Sequence, residues 1–238
     1  MNPDFGKLYL IPTRLGDNAP LEVLPLSIKR VIEQTSIYIV ENEKSARRFI
    51  KRVSPGKSQS SLKLKLLNKY TQEHELDHFL DECKDGISIG LLSEAGCPAI
   101  ADPGADVVKL AHENDIQVIP LVGPSSIILG LMSSGMNGQS FAFNGYLPIE
   151  HIERKIALKR LEKLSHDHNQ TQIFIETPYR NNKILEDMCS ILQPDTLVCV
   201  ACDLTLSTEY IKTATVSEWK NIKVDLHKRP TIFLVHKD

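Results

Sequence analysis

The feature that most constrains this chain is an alternation. Short β-rich runs, nearly every one closed by a cluster of Gly, Pro and Ser, are separated by helical stretches along most of its length. Strands alternating with helices build α/β layers, because each strand needs a crossover helix before the next can lie parallel to it. The runs predicted as strands are Leu8 to Ile11, Ser36 to Val40, Leu62 to Leu66, Ile87 to Leu92, Gln117 to Leu121, Phe141 to Asn144, Gln172 to Glu176, Leu197 to Ala201, Glu209 to Thr213 and Pro230 to Val235. Helical spacing falls at Leu26 to Gln34, Glu43 to Val53, Glu73 to Lys84, Ala105 to Glu113, Ile127 to Ser134, Ile152 to Leu164 and Arg180 to Leu192. In Leu62, Leu64 and Leu66 the apolar residues alternate with polar ones, the pattern of a half-buried strand. The segment GPSS, Gly123 to Ser126, reads as a hinge, giving two α/β domains at residues 1–121 and 122–238.

A length of 238 residues suits two compact domains. With 28 Lys plus Arg against 30 Asp plus Glu, the formal charge is −2, which argues against a binder driven by general cationic excess. The five cysteines, Cys83, Cys97, Cys189, Cys199 and Cys202, are odd in number and scattered, so a disulfide scaffold is not indicated and a reducing cytoplasm is expected. The opening MNPDFGK lacks the charged-then-apolar pattern of a secretory leader. Val118 to Met136, the least polar stretch, is interrupted by Pro120, Gly123 and Pro124, so no membrane span is expected there.

In open α/β sheets, ligands bind beyond the C-terminal ends of the strands. Five clusters of small residues stand at such ends: IPTRLGDN from Ile11, SEAGCPAIADPG from Ser93, VGPSS from Val122, ETPYR from Glu176 and ACDLT from Ala201. Glycine there lets backbone approach a ligand closely. G-x-G-x-x-G after the first strand, the P-loop string and G-x-S-x-G are all missing, which argues against dinucleotide, P-loop and α/β-hydrolase chemistry. The eight histidines show no metal-ligand spacing, so no metal is expected. Cys199-Val-Ala-Cys202 is a C-x-x-C, but within a strand its two side chains point to opposite faces, and packing accounts for it better than redox chemistry. Trp219 is read as a plug at the edge of a core.

The strings LYLIPTRLGD, GLLSEAGCPAIADPG, VIPLVGPSS, FAFNGYLP, IFIETPYR and ACDLT, in this order, resemble the tetrapyrrole methylase superfamily of S-adenosylmethionine-dependent enzymes, and within it the bacterial 16S rRNA cytidine 2′-O-methyltransferases. The resemblance runs from Leu8 to about Val235. It implies two α/β domains with S-adenosylmethionine in the cleft between them, and commonly a homodimer. Carried over motif by motif, it implies cofactor contacts from Pro12, Ala95, Gly96, Cys97, Ile100, Ser125 and Ser126, and from Thr177, Leu204, Pro230 and Thr231. The chain departs from the pattern where the rRNA enzymes usually carry Thr-Pro-Ile-Gly-Asn, here Thr13, Arg14, Leu15, Gly16 and Asp17. It departs again where they carry an acidic-Asp-Thr-Arg string, here Glu41, Asn42, Glu43 and Lys44.

The resemblance implies methyl transfer to a ribose 2′-hydroxyl of rRNA in the small ribosomal subunit. Two alternatives stay open: a tetrapyrrole or other small-molecule acceptor, and a non-catalytic S-adenosylmethionine-binding module for RNA assembly. A ribose hydroxyl is a poor nucleophile, so an acceptor for its proton would help. Glu176 at a strand end is the first candidate; Asp17 and Glu94 follow. Glu176 could equally serve the dipole of the next helix. Arg180 fits either a phosphate contact or an ion pair. Basic runs at Lys44, Arg47, Arg48, Lys51 and Arg52 and at Arg154, Lys155, Lys159, Arg160 and Lys163 are the expected path of an RNA backbone, or else solvated faces.

Overall fold

The computed structural model describes residues 4–238, so Met1 to Pro3 of the segment read for a leader lie outside the described residues. The chain forms two compact units, one ending at Ser125 and the other running Ser126–Asp238.

The first unit holds five strands, β1 (Lys7–Ile11), β2 (Ile37–Val40), β3 (Lys63–Leu66), β4 (Ile89–Leu92) and β5 (Gln117–Pro120), all parallel in the order β3-β2-β4-β1-β5. Its helices are α1 (Pro20–Val23), α2 (Leu26–Gln34), α3 (Glu43–Val53), α4 (Glu73–Leu76), α5 (Asp81–Lys84) and α6 (Ala105–Glu113). A parallel sheet is covered on both faces, which is why β2 and β4 are apolar at successive positions. Ile37, Ile39, Ile89 and Leu91 pack into one core, while Tyr38, Val40 and Leu92 pack into another. The α3 helix starts on an Asn42 cap whose Oδ1 accepts from the backbone N–H groups of Lys44 and Ser45 at 2.9 and 3.2 Å. It buries Ala46, Phe49, Ile50 and Val53.

Two expectations for this unit are corrected. The helix expected over residues 73–84 is broken into the single turns α4 and α5. The Lys65 ammonium donates to the carbonyls of His78 and Phe79 at 3.0 Å each, the acceptors that a continuous helix would have used for Glu82 and Cys83. The alternation at β3 is interrupted as well: Leu62 is buried but Leu66 is exposed, and burial resumes at Leu67, past the strand end.

The second unit holds α7 (Ser126–Ser134), β6 (Phe141–Tyr146), α8 (His151–His168), β7 (Thr171–Ile175), α9 (Asn181–Ile191), β8 (Leu197–Cys202), β9 (Tyr210–Thr215), α10 (Val216–Trp219) and β10 (Thr231–His236). The strand order is β6-β7-β10-β8-β9, parallel at β6–β7 and antiparallel elsewhere. Phe174 and Phe233 stack at 5.5 Å between centroids inside its core. Trp219 is buried there as expected, its indole N–H donating to the Val198 carbonyl at 2.9 Å. Cys199 and Cys202 are both fully buried in β8, and only Cys202 joins that aromatic core. The basic run on α8 is not one solvated face. Arg154 is buried in an ion pair with Asp187 on α9, because the helix turns that position inward, while Lys155, Lys159, Arg160 and Lys163 stay exposed.

Candidate functional site

In the first unit the turns after β1, β4 and β5 come together. The Thr13 N–H donates to the Gly96 carbonyl at 2.9 Å, and the Ser93 hydroxyl donates to the same carbonyl at 2.7 Å. The Cys97 thiol lies 3.5 Å from the Pro124 carbonyl, and burial pushes it above the usual thiol range. Pro12 is buried against Gly123, where an added Cβ would stand only 2.3 Å from the proline Cβ. Pro12, Ala95, Gly96, Cys97 and Ser125 therefore stand on three interlocked turns. Ala95 and Ile100 are exposed at the rim of the same loop.

In the second unit the turns after β7 and β8 meet the segment leading into β10. The Asp203 N–H donates to the Pro230 carbonyl at 2.8 Å, and the Lys228 N–H donates to the Pro178 carbonyl at 2.9 Å. The Arg229 guanidinium donates to Asp203 at 2.8 Å, and the Asn181 amide donates to the Arg229 carbonyl at 2.7 Å. Thr177 and Pro230 face solvent, whereas Leu204 and Thr231 are buried. Ser126 is the first residue of α7.

Both sets of turns store backbone strain. Seven non-glycine residues of the described chain have positive φ, and five of them fall here: Ala99 and Ala101 after β4, Asp203 and Thr205 flanking Leu204, and Lys228 before Pro230. The other two stand at helix C-terminal ends, Asn169 directly after α8 and Asp115 two residues past α6, where a left-handed residue is common. Left-handed Thr205 is costly for a β-branched residue, and such strain concentrates at ligand clamps.

The ETPYRN turn carries the titratable candidate. Glu176 is buried; its Oε1 accepts from the Thr177 N–H at 2.7 Å and from the Arg180 guanidinium. Arg180 thus serves an ion pair, and Glu176 answers to the N-terminal end of α9. Yet Oε2 of Glu176, Nε of Arg180 and Oδ1 of Asn181 are buried without a hydrogen-bond partner. Three such atoms within six residues leave one donor and two acceptors without protein partners. Asp17 is corrected as a proton acceptor: hydrogen bonds from Arg52 and Arg14 hold its carboxyl below the usual range. Glu94 is exposed and accepts from the Ser45 hydroxyl at 2.6 Å.

A carboxylate that the sequence reading passed over stands at the end of β2. Burial, with repulsion from Asp102 and Glu94, pushes Glu41 up to about 7, and its Oε1 is buried without a partner. Asp102 is also raised, by burial and by Glu94. Glu41 lies in the string that departs from the expected pattern, and an acid immediately after a strand buried along its whole length was the available signal. Between the ordinary carboxyl value of 4.5 and about 7 the folded state holds the extra proton, so stability falls as pH rises through that window. Glu41→Gln is expected to stabilise the protein by about 1–2 kcal/mol at pH 8, after discounting for solvent screening, and by nothing at pH 4. Urea unfolding at the two pH values checks this; equal effects at both would refute it.

In each unit, turns of small residues at strand ends let a ligand approach the backbone closely. The family to which these turns belong is one of S-adenosylmethionine-dependent methylases. The model of the Tetrapyrrole (Corrin/Porphyrin) Methylases matches residues 8–220, and the chain belongs to that family. Among curated relatives, ribosomal RNA small subunit methyltransferase I of Vibrio cholerae is 29% identical over 232 residues, spanning 96% of this chain and 76% of the relative. The protein of the same name from Escherichia coli O157:H7 is 29% identical over 227 residues, spanning 94% and 74%. Among solved structures, the methyltransferase CobJ superposes with a TM-score of 0.64 at 14% identity, covering 98% of this chain and 94% of that one. A uroporphyrin-III-C-methyltransferase from Thermus thermophilus gives 0.56 at 16% identity, covering 98% and 92%. These two likenesses show the fold.

Proposed function

We propose that this protein methylates a ribose 2′-hydroxyl of small-subunit ribosomal RNA, in the cytoplasm and as a homodimer. The observation that carries the acceptor is the match, over most of this chain and about three quarters of each relative, to chains named ribosomal RNA small subunit methyltransferase I. Bound S-adenosylmethionine supplies an electrophilic methyl group on a sulfonium. The backbone of Pro12, Ala95, Gly96 and Cys97, with Ile100, Ser125 and Ser126, holds and orients one part of it. Thr177, Leu204, Pro230 and Thr231 line the other. Glu176 takes the hydroxyl proton on Oε2, the oxygen its neighbours leave unused. Orientation of the acceptor in line with the methyl group supplies much of the rate, since well-placed reactants can be worth about 7–11 kcal/mol of barrier.

The deciding assay is transfer of labelled methyl from S-adenosylmethionine to small subunits that lack their own methylation, with a porphyrinogen in parallel. Label in RNA that maps to ribose is expected. Label in the porphyrinogen alone, or in neither, overturns the reading.

The homodimer is supported by an exposed apolar face on the second unit. Ile152 and Ile156 lie four residues apart on α8, hence on one side of the helix, and both are well over half exposed, as are nearby Ile149 and Tyr146. Ile152→Glu with Ile156→Glu is expected to halve the mass seen by light scattering while leaving the circular dichroism unchanged. A monomeric parent protein would remove the dimer from the proposal.

A further inference from the structure

The first unit contains a cavity of about 420 Å³ at the ends of β1 and β4, walled by α3, which shares only Ala95 with the proposed cofactor contacts. Three arginines line it, Arg14, Arg48 and Arg52, together with the buried hydroxyls of Thr13 and Ser93. Arg14 is mostly covered and donates to the Asn18 carbonyl. Arg48 is exposed and has no carboxylate partner among the described residues. Across the cavity mouth lies Asp17. Its Oδ1 accepts from Arg14 at 3.2 Å and from Arg52, while its side chain is 80% exposed. One carboxylate oxygen held by two guanidinium groups is the arrangement a phosphate oxygen would take, and the planar guanidinium fork suits phosphate.

Two further observations favour a polymer over a small anion. Lys44, Arg48 and Arg52 follow one another at four-residue spacing, so an exposed cationic stripe about 6 Å per step runs along α3 into the cavity. The two charged departures from the Thr-Pro-Ile-Gly-Asn string, Arg14 and Asp17, are paired with each other. With Asp17 turned out to solvent, Glu94 is the one carboxylate left among the lining residues, with Glu41 and Asp102 near it.

We propose that this cavity is a phosphodiester subsite for the RNA substrate, and that Asp17 occupies it in the free protein and is displaced when RNA binds. The subsite rests on the rRNA reading above. The test is fluorescence anisotropy of a short single-stranded RNA at several salt concentrations, with the parent protein, Asp17→Asn, Arg48→Ala and Arg52→Ala. Asp17→Asn is expected to tighten binding roughly threefold, because it removes the competing anion. Each arginine variant is expected to weaken binding and to lower the slope of log affinity against log salt by about 0.7, the value for one lost contact to a single strand. Weaker binding by Asp17→Asn, or parental binding by both arginine variants, overturns the proposal. So does cytidine monophosphate competing as well as the oligonucleotide, which would make this a free-nucleotide site. The methyl-transfer assay on small subunits is run with the parent protein. Methylation with unaltered binding by the variants overturns the subsite alone, whereas absence of methylation overturns the reading beneath it.

Discussion

Glu176→Gln is expected to lower kcat about 100-fold, the lower end for a lost general base, while the Kd for S-adenosylmethionine stays within about twofold. The substitution is selective because of how the carboxylate is held. The Gln oxygen can still accept from the Thr177 N–H and the Arg180 guanidinium, so the turn keeps its shape. What changes is the second position, where a buried oxygen with no partner becomes an amide that donates but cannot take a proton. Single-turnover methyl transfer with calorimetric cofactor binding separates the two effects. Full turnover would remove Glu176 from the chemistry, and equal losses in both would make it a support for Thr177 alone.

The largest effect on stability is expected from Arg154→Leu, about 3–5 kcal/mol. Arg154 donates to Asp187 through Nε at 2.8 Å and Nη2 at 2.7 Å, with both side chains more than nine-tenths buried. It also donates to the carbonyls of Pro148 and Ile149, tying the entry of α8 to α9. Removing the arginine leaves a buried carboxylate with the Lys183 ammonium at 3.1 Å and the exposed His151 imidazole at 3.9 Å. Replacing both partners, Arg154→Met with Asp187→Leu, takes away both buried charges at once and is expected to recover most of the loss. Thermal and urea unfolding of the single and double variants test this. A double variant as unstable as the single one would show that the carbonyl contacts, not the charge pair, carry the effect.

The fold was legible where burial leaves a simple pattern. Strands covered on both faces, such as β2, β4 and β8, are apolar at successive positions, and α3 announces itself through Asn42 and four inward apolar residues. Tertiary contacts took over elsewhere. The break between α4 and α5 depends on Lys65, which is eight residues or more away in sequence, and local helical spacing cannot register it. Arg154 looked like one more surface cation because its partner stands on another helix.

The candidate site was legible as a set of turns, since small residues after strands are written in the sequence. Its strain was not. Left-handed backbone is expected at Gly or Asn, and here Ala99, Ala101, Asp203, Thr205 and Lys228 adopt it. Glu41 was missed for a related reason. Its raised proton affinity comes from Asp102 and Glu94, which only folding brings near.

The lysines of β3 bear on how the protein behaves at high concentration. This strand lies at the open margin of a parallel sheet, where free N–H and C=O groups could template a further strand from another molecule. Lys63 and Lys65 both reach back to Glu82 on α5, so a charge cluster, mostly covered at Lys65 and Glu82 and exposed at Lys63, sits over a margin otherwise made of Leu64 and Leu66. An incoming strand would have to strip those ions of their partners and their water. The same lysine that splits a helix also guards the sheet against self-association.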